Sequence, residues 1–159
     1  MHDTQGWGRV NLTVAGTYLR NYVVQDTATS RPVGYQDGFF PRGVSSNGVF
    51  ARYRLNSRLD WSHKSWTAGL AHTYVPSIDD LGSPAPFRVK KYHSFDLQVG
   101  HTFASSGNRW LKGLQVQMGV NNLTNDFPPL IPSEGNQSHD INAYDPIGRF
   151  YYMQAKFKF

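Results

Sequence analysis

The sequence lacks cysteine, is poor in charged residues and contains no long apolar run. Without cysteine, a disulfide framework, a thiolate metal site and a cysteine nucleophile are all excluded. Because no run of 18 or more apolar residues is present, the sequence predicts no membrane-spanning helix. Charged residues make up only 17% of the 159 residues, whereas aromatic residues make up 14%. A chain with so many aromatic side chains is expected to fold rather than to be disordered.

The charge balance is basic. There are 16 Lys and Arg residues against 11 Asp and Glu residues, which gives a net charge of +5 and an isoelectric point near 9.6. Such a balance raises nucleic acid as a partner. The same charges also fit an ordinary solvated face, which is the commoner role of surface Lys and Arg. The placement of the basic residues therefore has to decide between the two interpretations.

The dominant pattern is an alternation of apolar and polar residues with a period of two, as in Val10, Leu12 and Val14. A helical period sustained over three turns is not found, so the sequence predicts an all-β fold. Six segments carry the alternation and are predicted to be strands: 8–25, 49–61, 66–75, 87–103, 111–121 and 149–159.

The segments between these strands alternate in length: long, short, long, short, long. This rhythm predicts an antiparallel up-and-down meander with tight turns at one end and extended loops at the other. Outer-membrane β-barrels have this asymmetry, because their periplasmic turns are short and their extracellular loops long. A soluble Greek-key sandwich has no reason to sort its loops in this way.

Aromatic residues cluster where the strands meet the short turns, and we expect them to mark a membrane interface. They are Trp61, Trp66, Phe103, Trp110 and Phe159. Eight residues along the strands from three of them lie Tyr53, Tyr74 and Tyr151, a vertical span of about 20 Å in a tilted strand. The lipid-facing band of an outer-membrane barrel is about 25 Å tall, which is close to this span.

Two motifs near the end of the sequence resemble the C-terminus of TonB-dependent outer-membrane receptors. GVNNLTNDFPP (119–129) is similar to that family's penultimate strand and its Asn-Leu-x-Asn/Asp turn, and YDPIGRFYYMQAKFKF (144–159) to its Tyr-Asp-x-x-Gly-Arg final strand. RLNSRLDW (54–61) resembles the same family's barrel wall more loosely. The resemblance implies that residues 1–159 are a partial barrel domain, the last six strands of a 22-stranded transmembrane barrel in the bacterial outer membrane.

The resemblance also implies a function and a set of partners. The full receptor would actively import a scarce ligand, such as an iron chelate, a cobalamin-like cofactor or a glycan. Its partners would be outer-membrane lipid, the remainder of the barrel and plug, and TonB through an N-terminal part that this sequence does not contain. The barrel-assembly machinery would read an alternating terminal signal formed by Tyr151, Met153, Phe157 and Phe159. We expect the sequence, which shows no export signal or plug, to be a fragment that does not transport by itself.

No catalytic set of residues stands out, so the sequence does not predict an enzyme. The six histidines lack an HExxH motif or a carboxylate pairing, and neither a metal nor a cofactor is expected. Asp79 and Asp80 have the pattern of an acidic loop tip. The serines in loop-like segments have no nearby base that would activate them as nucleophiles.

Two groups of residues are candidates for contact with a ligand or a plug. If the apolar side chains face lipid, then Arg52, Arg54, Arg58 and Lys90 face the lumen, to pair with acidic plug groups or, less favoured, to attract an anionic substrate. In the first long loop, Tyr35, Phe39 and Phe40 either stack on the ligand or, as we favour, fold the loop onto the barrel rim.

A different class of protein remains an alternative: a small soluble β-sheet module that binds nucleic acid or sugar. Nucleic acid is the weaker choice, because the apolar side of such a sheet would need covering helices, which the sequence does not predict.

Overall fold

The structure is a computed structural model that describes residues 2–4, 6–25, 27–40, 48–103, 111–134 and 138–157. All regular secondary structure in these ranges is β-strand, which confirms the all-β prediction. A helix with the length and hydropathy to cross a membrane does not occur in the described ranges. The strands are β1 (His2–Thr4), β2 (Gly8–Tyr18), β3 (Val23–Val24), β4 (Val33–Gly34), β5 (Gly38–Phe40), β6 (Gly48–Phe50), β7 (Tyr53–His63), β8 (Trp66–Val75), β9 (Ile78–Asp80), β10 (Arg88–Val89), β11 (Tyr92–Thr102), β12 (Leu114–Asn121) and β13 (Phe150–Phe157).

Seven strands form one antiparallel sheet, which we call the large sheet, in the order β1-β2-β7-β8-β11-β12-β13. Each neighbouring pair in this order is antiparallel, so the predicted up-and-down meander is confirmed, with the short β1 added to the six predicted strands. The turn between β7 and β8 contains only Lys64 and Ser65. Among the described residues the large sheet is open, with β1 and β13 at its two edges.

Three predicted strands are wrong in their extent. The segment 8–25 leaves the large sheet after Tyr18, and 87–103 is divided into β10 and β11. The segment 49–61 is also divided, because Val49 belongs to β6 in another sheet. At this break the Arg52 backbone N–H donates to Asp37 Oδ1 at 2.9 Å instead of continuing the ladder. Alternation alone does not reveal such a departure, since apolar residues alternate on both sides of the break.

In the described ranges, the connections between the long strands contain six further strands. Of these, β4, β5 and β9 lie in segments predicted to be loops, whereas β3, β6 and β10 overlap the predicted strands 8–25, 49–61 and 87–103. Four of them form a second sheet in the order β10-β9-β5-β6, and β3 pairs with β4. The buried core lies among these connections at the long-loop end, and its residues are Phe39, Val49, Ala51, Val75, Ile78, Val89, Tyr92, Ile131 and Tyr144. The long loops are therefore packed together at one end of the large sheet, and we call this part of the structure the loop unit.

Two buried carboxylates connect loops that are distant in sequence. Asp80, which is 4% exposed, accepts hydrogen bonds from the Ser133 backbone N–H (3.0 Å), the Ser133 hydroxyl and the Gly82 N–H (3.1 Å). Asp140 Oδ2 accepts from the Val49 N–H at 2.8 Å. The expectation that Asp80 lies at an acidic loop tip is therefore wrong, because its carboxylate holds the loop after β12 against the loop after β8.

Replacing Asp80 by Asn is expected to lower the free energy of unfolding by about 1 to 2 kcal/mol, because the amide keeps one acceptor oxygen and loses the charge-assisted bonds. Asp79→Asn is the matched control. Its side chain is half exposed and pairs with Arg88 at 2.8 Å, so about 0.5 kcal/mol or less is expected. Urea unfolding of both variants measures the difference, and equal losses would contradict the role given to Asp80.

Candidate functional site

The large sheet has one face on which apolar side chains are aligned across six strands. The register places Leu59 beside Leu12 and Leu70, and continues this row through Leu97 and Val120. We call this side the apolar face. Its residues in the six long strands are Gly8, Val10, Leu12, Val14, Gly16, Tyr18, Tyr53, Leu55, Ser57, Leu59, Trp61, His63, Trp66, Ala68, Leu70, His72, Tyr74, His93, Phe95, Leu97, Val99, His101, Leu114, Val116, Met118, Val120, Tyr151, Met153, Ala155 and Phe157.

None of these thirty residues is Asp, Glu, Lys or Arg. At the average of the chain, 17%, a set of this size would contain about five charged residues. The face is nevertheless open: Leu12 is 65% exposed and Met153 is 67% exposed. The largest contiguous apolar patch on a typical soluble monomer covers only a few hundred Å², and it usually marks a functional surface. The apolar face is therefore the first candidate for a functional surface.

Aromatic rings border the apolar face on both sides in two lines, which we call belts. The long-loop belt contains Tyr18, Tyr53, Tyr74, Phe95 and Tyr151, and the short-turn belt contains Trp61, Trp66, Phe103 and Phe157. Phe103 follows β11 directly and donates its backbone N–H to Leu114 O at 2.8 Å, so it continues the ladder. Trp110 and Phe159, also expected at this interface, lie outside the described residues.

The two belts are eight residues apart on three consecutive strands of the large sheet, β7, β8 and β11. Between them the apolar face is mainly aliphatic. Both belts move toward the short-turn end by two residues from β7 to β8 and again from β8 to β11. The belts therefore run parallel to each other and obliquely to the strands.

The register of the strands gives the angle between the belts and the perpendicular to the strands. From Tyr18 to Tyr151 the long-loop belt moves by six residues over five steps between neighbouring strands. With a rise of about 3.3 Å per residue and about 4.8 Å between strands, this belt lies about 40° from the perpendicular to the strands. The short-turn belt, from Trp61 to Phe157, moves by four residues over four steps, which corresponds to about 35°.

The opposite side of the large sheet, which we call the polar face, carries the charged side chains of the six long strands: Arg9, Arg54, Arg58, Asp60, Asp96 and Lys156. Arg58 pairs with Asp60 at 2.9 Å, and Arg54 Nη2 donates to Val49 O at 3.0 Å. Two of the four basic residues expected to face a lumen thus lie on this face with partners. The other two, Arg52 and Lys90, lie outside the large sheet, Arg52 in an ion pair with Asp37 at 2.6 Å.

Two glycines on the polar face lie beneath larger side chains. Gly119 lies directly opposite Tyr152, and a side chain at 119 would collide with the Tyr152 ring. Gly69 lies in the same row, beneath the ends of Arg58 and Gln98. The close approach at 119 favours glycine strongly, whereas a side chain at 69 would require only small shifts of the flexible ends of its neighbours.

The aromatic residues of the first long loop are mostly inside the loop unit. Tyr35 is 2% exposed and Phe39 is 1% exposed. The Tyr35 ring packs edge-on against Tyr22 and Phe50, with centroid distances of 6.0 and 6.1 Å. In this arrangement neither Tyr35 nor Phe39 offers a ring face to a ligand, which agrees with the favoured packing interpretation. The side chain of Phe40 lies outside the described part of the chain.

The turn after β12 belongs to the motif 119–129 and is closed by hydrogen bonds of Asn122. Asn122 is buried and has a left-handed backbone (φ 51°). Its amide donates to Asp126 O at 2.7 Å and accepts from the Asp126 N–H at 2.9 Å. Its backbone N–H donates to Asp96 Oδ1 at 2.8 Å. Asn tolerates the left-handed region better than most residues do, which explains its position here. Of the proposed terminal signal, Tyr151, Met153 and Phe157 lie on the apolar face of β13, and Phe159 lies outside the described residues.

Tyr144 connects the last loop to the core, where its ring meets Tyr92 edge-on at 5.4 Å. Burial raises the pKa of Tyr144 to about 12, although the charge of Arg54 acts in the opposite direction. Its hydroxyl has no hydrogen-bond partner among the described residues. The folded state therefore disfavours the tyrosinate form more than the unfolded state does.

Because the pKa of Tyr144 is raised in the folded state, the contribution of its neutral hydroxyl to the free energy of unfolding is complete below pH 10. This contribution is lost as the pH rises toward 12. We expect the wild-type chain to lose about 2 kcal/mol from this group over that range. Tyr144→Phe removes the titrating hydroxyl and should make unfolding in urea less dependent on pH between 10 and 12. The same pH dependence in both proteins would contradict this assignment.

In the described ranges, no group of three or more His, Cys, Asp or Glu side chains could hold a metal ion. The sequence analysis did not find the buried aspartates or the pairing of His72 with His93, because these contacts join residues that are distant in the chain.

A comparison with protein-family models, curated protein sequences and solved structures gave no match in any of the three.

Proposed function

We propose that this chain supplies C-terminal wall strands of a TonB-dependent receptor in the bacterial outer membrane. The apolar face lies against lipid, the polar face lines the lumen beside the plug, and the loop unit lies on the extracellular side. The complete receptor imports a scarce ligand: an iron chelate, a cobalamin-like cofactor or a glycan. The chain contributes structure to this uptake and carries no catalytic step.

The observation that carries the proposal is the exposed apolar face without a charged residue. In a soluble protein, the apolar face of a sheet is covered by another layer of secondary structure, and the polar face is exposed to water. Here the buried core is at the long-loop end, and the apolar face has no covering layer among the described residues. Lipid is the solvent that favours such a face, because a charged side chain at the bilayer midplane costs several kcal/mol.

The belts support the same orientation. If they mark the two membrane interfaces, the strands are tilted by about 35 to 40°, within the range of outer-membrane barrels. The eight residues between the belts then span about 20 Å along the membrane normal, near the usual height of the lipid-facing band. Trp66, half exposed in the short-turn belt, has the amphipathic ring that is enriched at such interfaces.

The edges of the large sheet argue for further strands. Among the described residues, β1 pairs with only three residues of β2, and β13 is the last strand in the order of the large sheet. In lipid every unpaired backbone group costs several kcal/mol, and only a closed barrel removes the edges. The choice of receptor family depends on the resemblance of 119–129 and 144–159, in which Asn122 closes the turn.

Cell fractionation tests the proposal. Expressed behind a cleavable export signal, the chain should float with outer-membrane vesicles in a density gradient and should require detergent for extraction. Floating separates membrane insertion from aggregation, since aggregates sediment. Recovery as a monomer in the aqueous fraction without detergent would instead favour the soluble binding module for sugar or nucleic acid.

The coding sequence around the gene tests the choice of family. We expect the receptor to which these strands belong to include a plug domain and a signal peptide encoded upstream in the same reading frame. An upstream frame that encodes an unrelated domain would contradict the receptor assignment while leaving membrane insertion to the fractionation result.

A further inference from the structure

Two histidines on the apolar face point their ring nitrogens at each other. His72 in β8 and His93 in β11 are on neighbouring strands, offset diagonally by two residues. His72 Nε2 and His93 Nδ1 are 3.1 Å apart. The ten-residue ladder between β8 and β11 fixes the backbone beneath both side chains. The sheet therefore fixes the two backbone positions from which the rings extend.

Aromatic neighbours hold the two rings in place. Phe95 stacks on His72 with a centroid distance of 4.4 Å, and Tyr74 lies 4.8 Å from His93. The two imidazole planes differ by only 11°. Both side chains are half-buried, which leaves the pair reachable from the surface. The arrangement is thus ordered before any ligand arrives.

The distance between the nitrogens matches the bite of a transition-metal ion. Zn²⁺ binds imidazole nitrogen at about 2.0 to 2.1 Å in a tetrahedral arrangement, which places two ligand nitrogens about 3.3 to 3.4 Å apart. A shift of a few tenths of an ångström from 3.1 Å, by small rotations of the two side chains, is enough to admit the ion. The metal would replace the proton that the two nitrogens now share.

We propose that His72 and His93 form a two-histidine site for a late first-row divalent ion, Zn²⁺ or Cu²⁺. Imidazole suits both ions, and Cu²⁺ binds more tightly at a given nitrogen site. No third His, Cys, Asp or Glu completes the set in the described part of the chain. Each histidine lies directly opposite a residue of the long-loop belt, His72 opposite Phe95 and His93 opposite Tyr74, so the pair is at the aqueous boundary and water fills the remaining positions. The ion is therefore held weakly and exchanges readily. By linking β8 to β11, it adds a cross-strand connection beside the long-loop belt.

Copper spectroscopy of the wild-type chain is the direct test. The folded, untagged chain is titrated with Cu²⁺ alone, and electron paramagnetic resonance records the nitrogen hyperfine pattern. The expected result is one bound ion with two imidazole nitrogens, His72 Nε2 and His93 Nδ1. A pattern from a single nitrogen, or no saturable binding at millimolar Cu²⁺, would overturn the proposal, and this test requires no variant to fold.

Zn²⁺ titration calorimetry of variants locates the site. His72→Gln and His93→Gln should each weaken Zn²⁺ binding at least tenfold, because each removes one of two protein ligands. His63→Gln is the control on the same face, since His63 stacks on Trp61 at the short-turn end. Equal affinity in wild type and in both pair variants would overturn the proposal, as would loss of binding in His63→Gln alone.

Discussion

Val99→Arg is expected to destabilise the folded chain in lipid–detergent micelles by about 2 to 4 kcal/mol. Val99 lies on the apolar face of β11, four residues from each of the belt residues Phe95 and Phe103. In the proposed orientation it is therefore close to the bilayer midplane, where an arginine facing lipid has its largest cost. Equilibrium unfolding in urea, followed by tryptophan fluorescence, measures the loss.

The adjacent residue provides a matched control. Gln98 is on the polar face of the same strand, in the row of Asp60, and its amide bonds with that of Gln117 at 3.0 Å. Gln98→Arg introduces the same charge one residue away, facing the opposite side, and should change the unfolding free energy by less than about 1 kcal/mol. Similar losses in the two variants would show that the two faces do not meet different solvents.

Asn122→Ala should lower the free energy of unfolding by about 2 to 4 kcal/mol. The change removes both side-chain hydrogen bonds to Asp126, leaves a backbone N–H without its acceptor and places alanine in a left-handed conformation. The change should also loosen the loop that joins β12 to β13, because Asn125 in the same turn holds the other end of that loop. Asn125 Oδ1 accepts a hydrogen bond from the Arg149 N–H at 2.9 Å.

Asn121→Ala is the control, because Asn121 ends β12 with an extended backbone and is not part of the buried turn. We expect a loss of less than about 0.5 kcal/mol for this variant, as for most changes at partly exposed positions. Amide hydrogen exchange at residues 122–126 adds a local readout. A turn that remains protected from exchange in Asn122→Ala would contradict the role given to this residue.

The large sheet could be predicted from the sequence because its signal is local. Each long strand repeats apolar and polar residues with a period of two, and one face of a sheet needs only that period to be continuous. The short turn after β7 is also visible locally, since the predicted strands 49–61 and 66–75 are separated by only four residues, and the structure shortens this turn to Lys64 and Ser65. Strand order followed from the loop lengths, because short connections join antiparallel neighbours.

The loop unit could not be predicted in the same way, because its contacts join residues that are far apart in sequence. Asp80 meets Ser133 across 53 residues, and Asp140 meets Val49 across 91. No period or motif marks such partners. For the same reason the sequence around Asp80 has the pattern of a loop tip, and no local pattern indicates the contact between His72 and His93.

In the proposed orientation the two faces of the large sheet meet different solvents, lipid and water. Because the chain has no cysteine, single-cysteine variants can be labelled with a nitroxide without background. Leu70→Cys places the label on the apolar face of β8, four residues from both Trp66 and Tyr74, and Ala71→Cys places it on the polar face. Power-saturation electron paramagnetic resonance in lipid should show high access to oxygen and low access to a polar nickel complex at residue 70, and the reverse at residue 71. High access to the nickel complex at both positions would contradict the account.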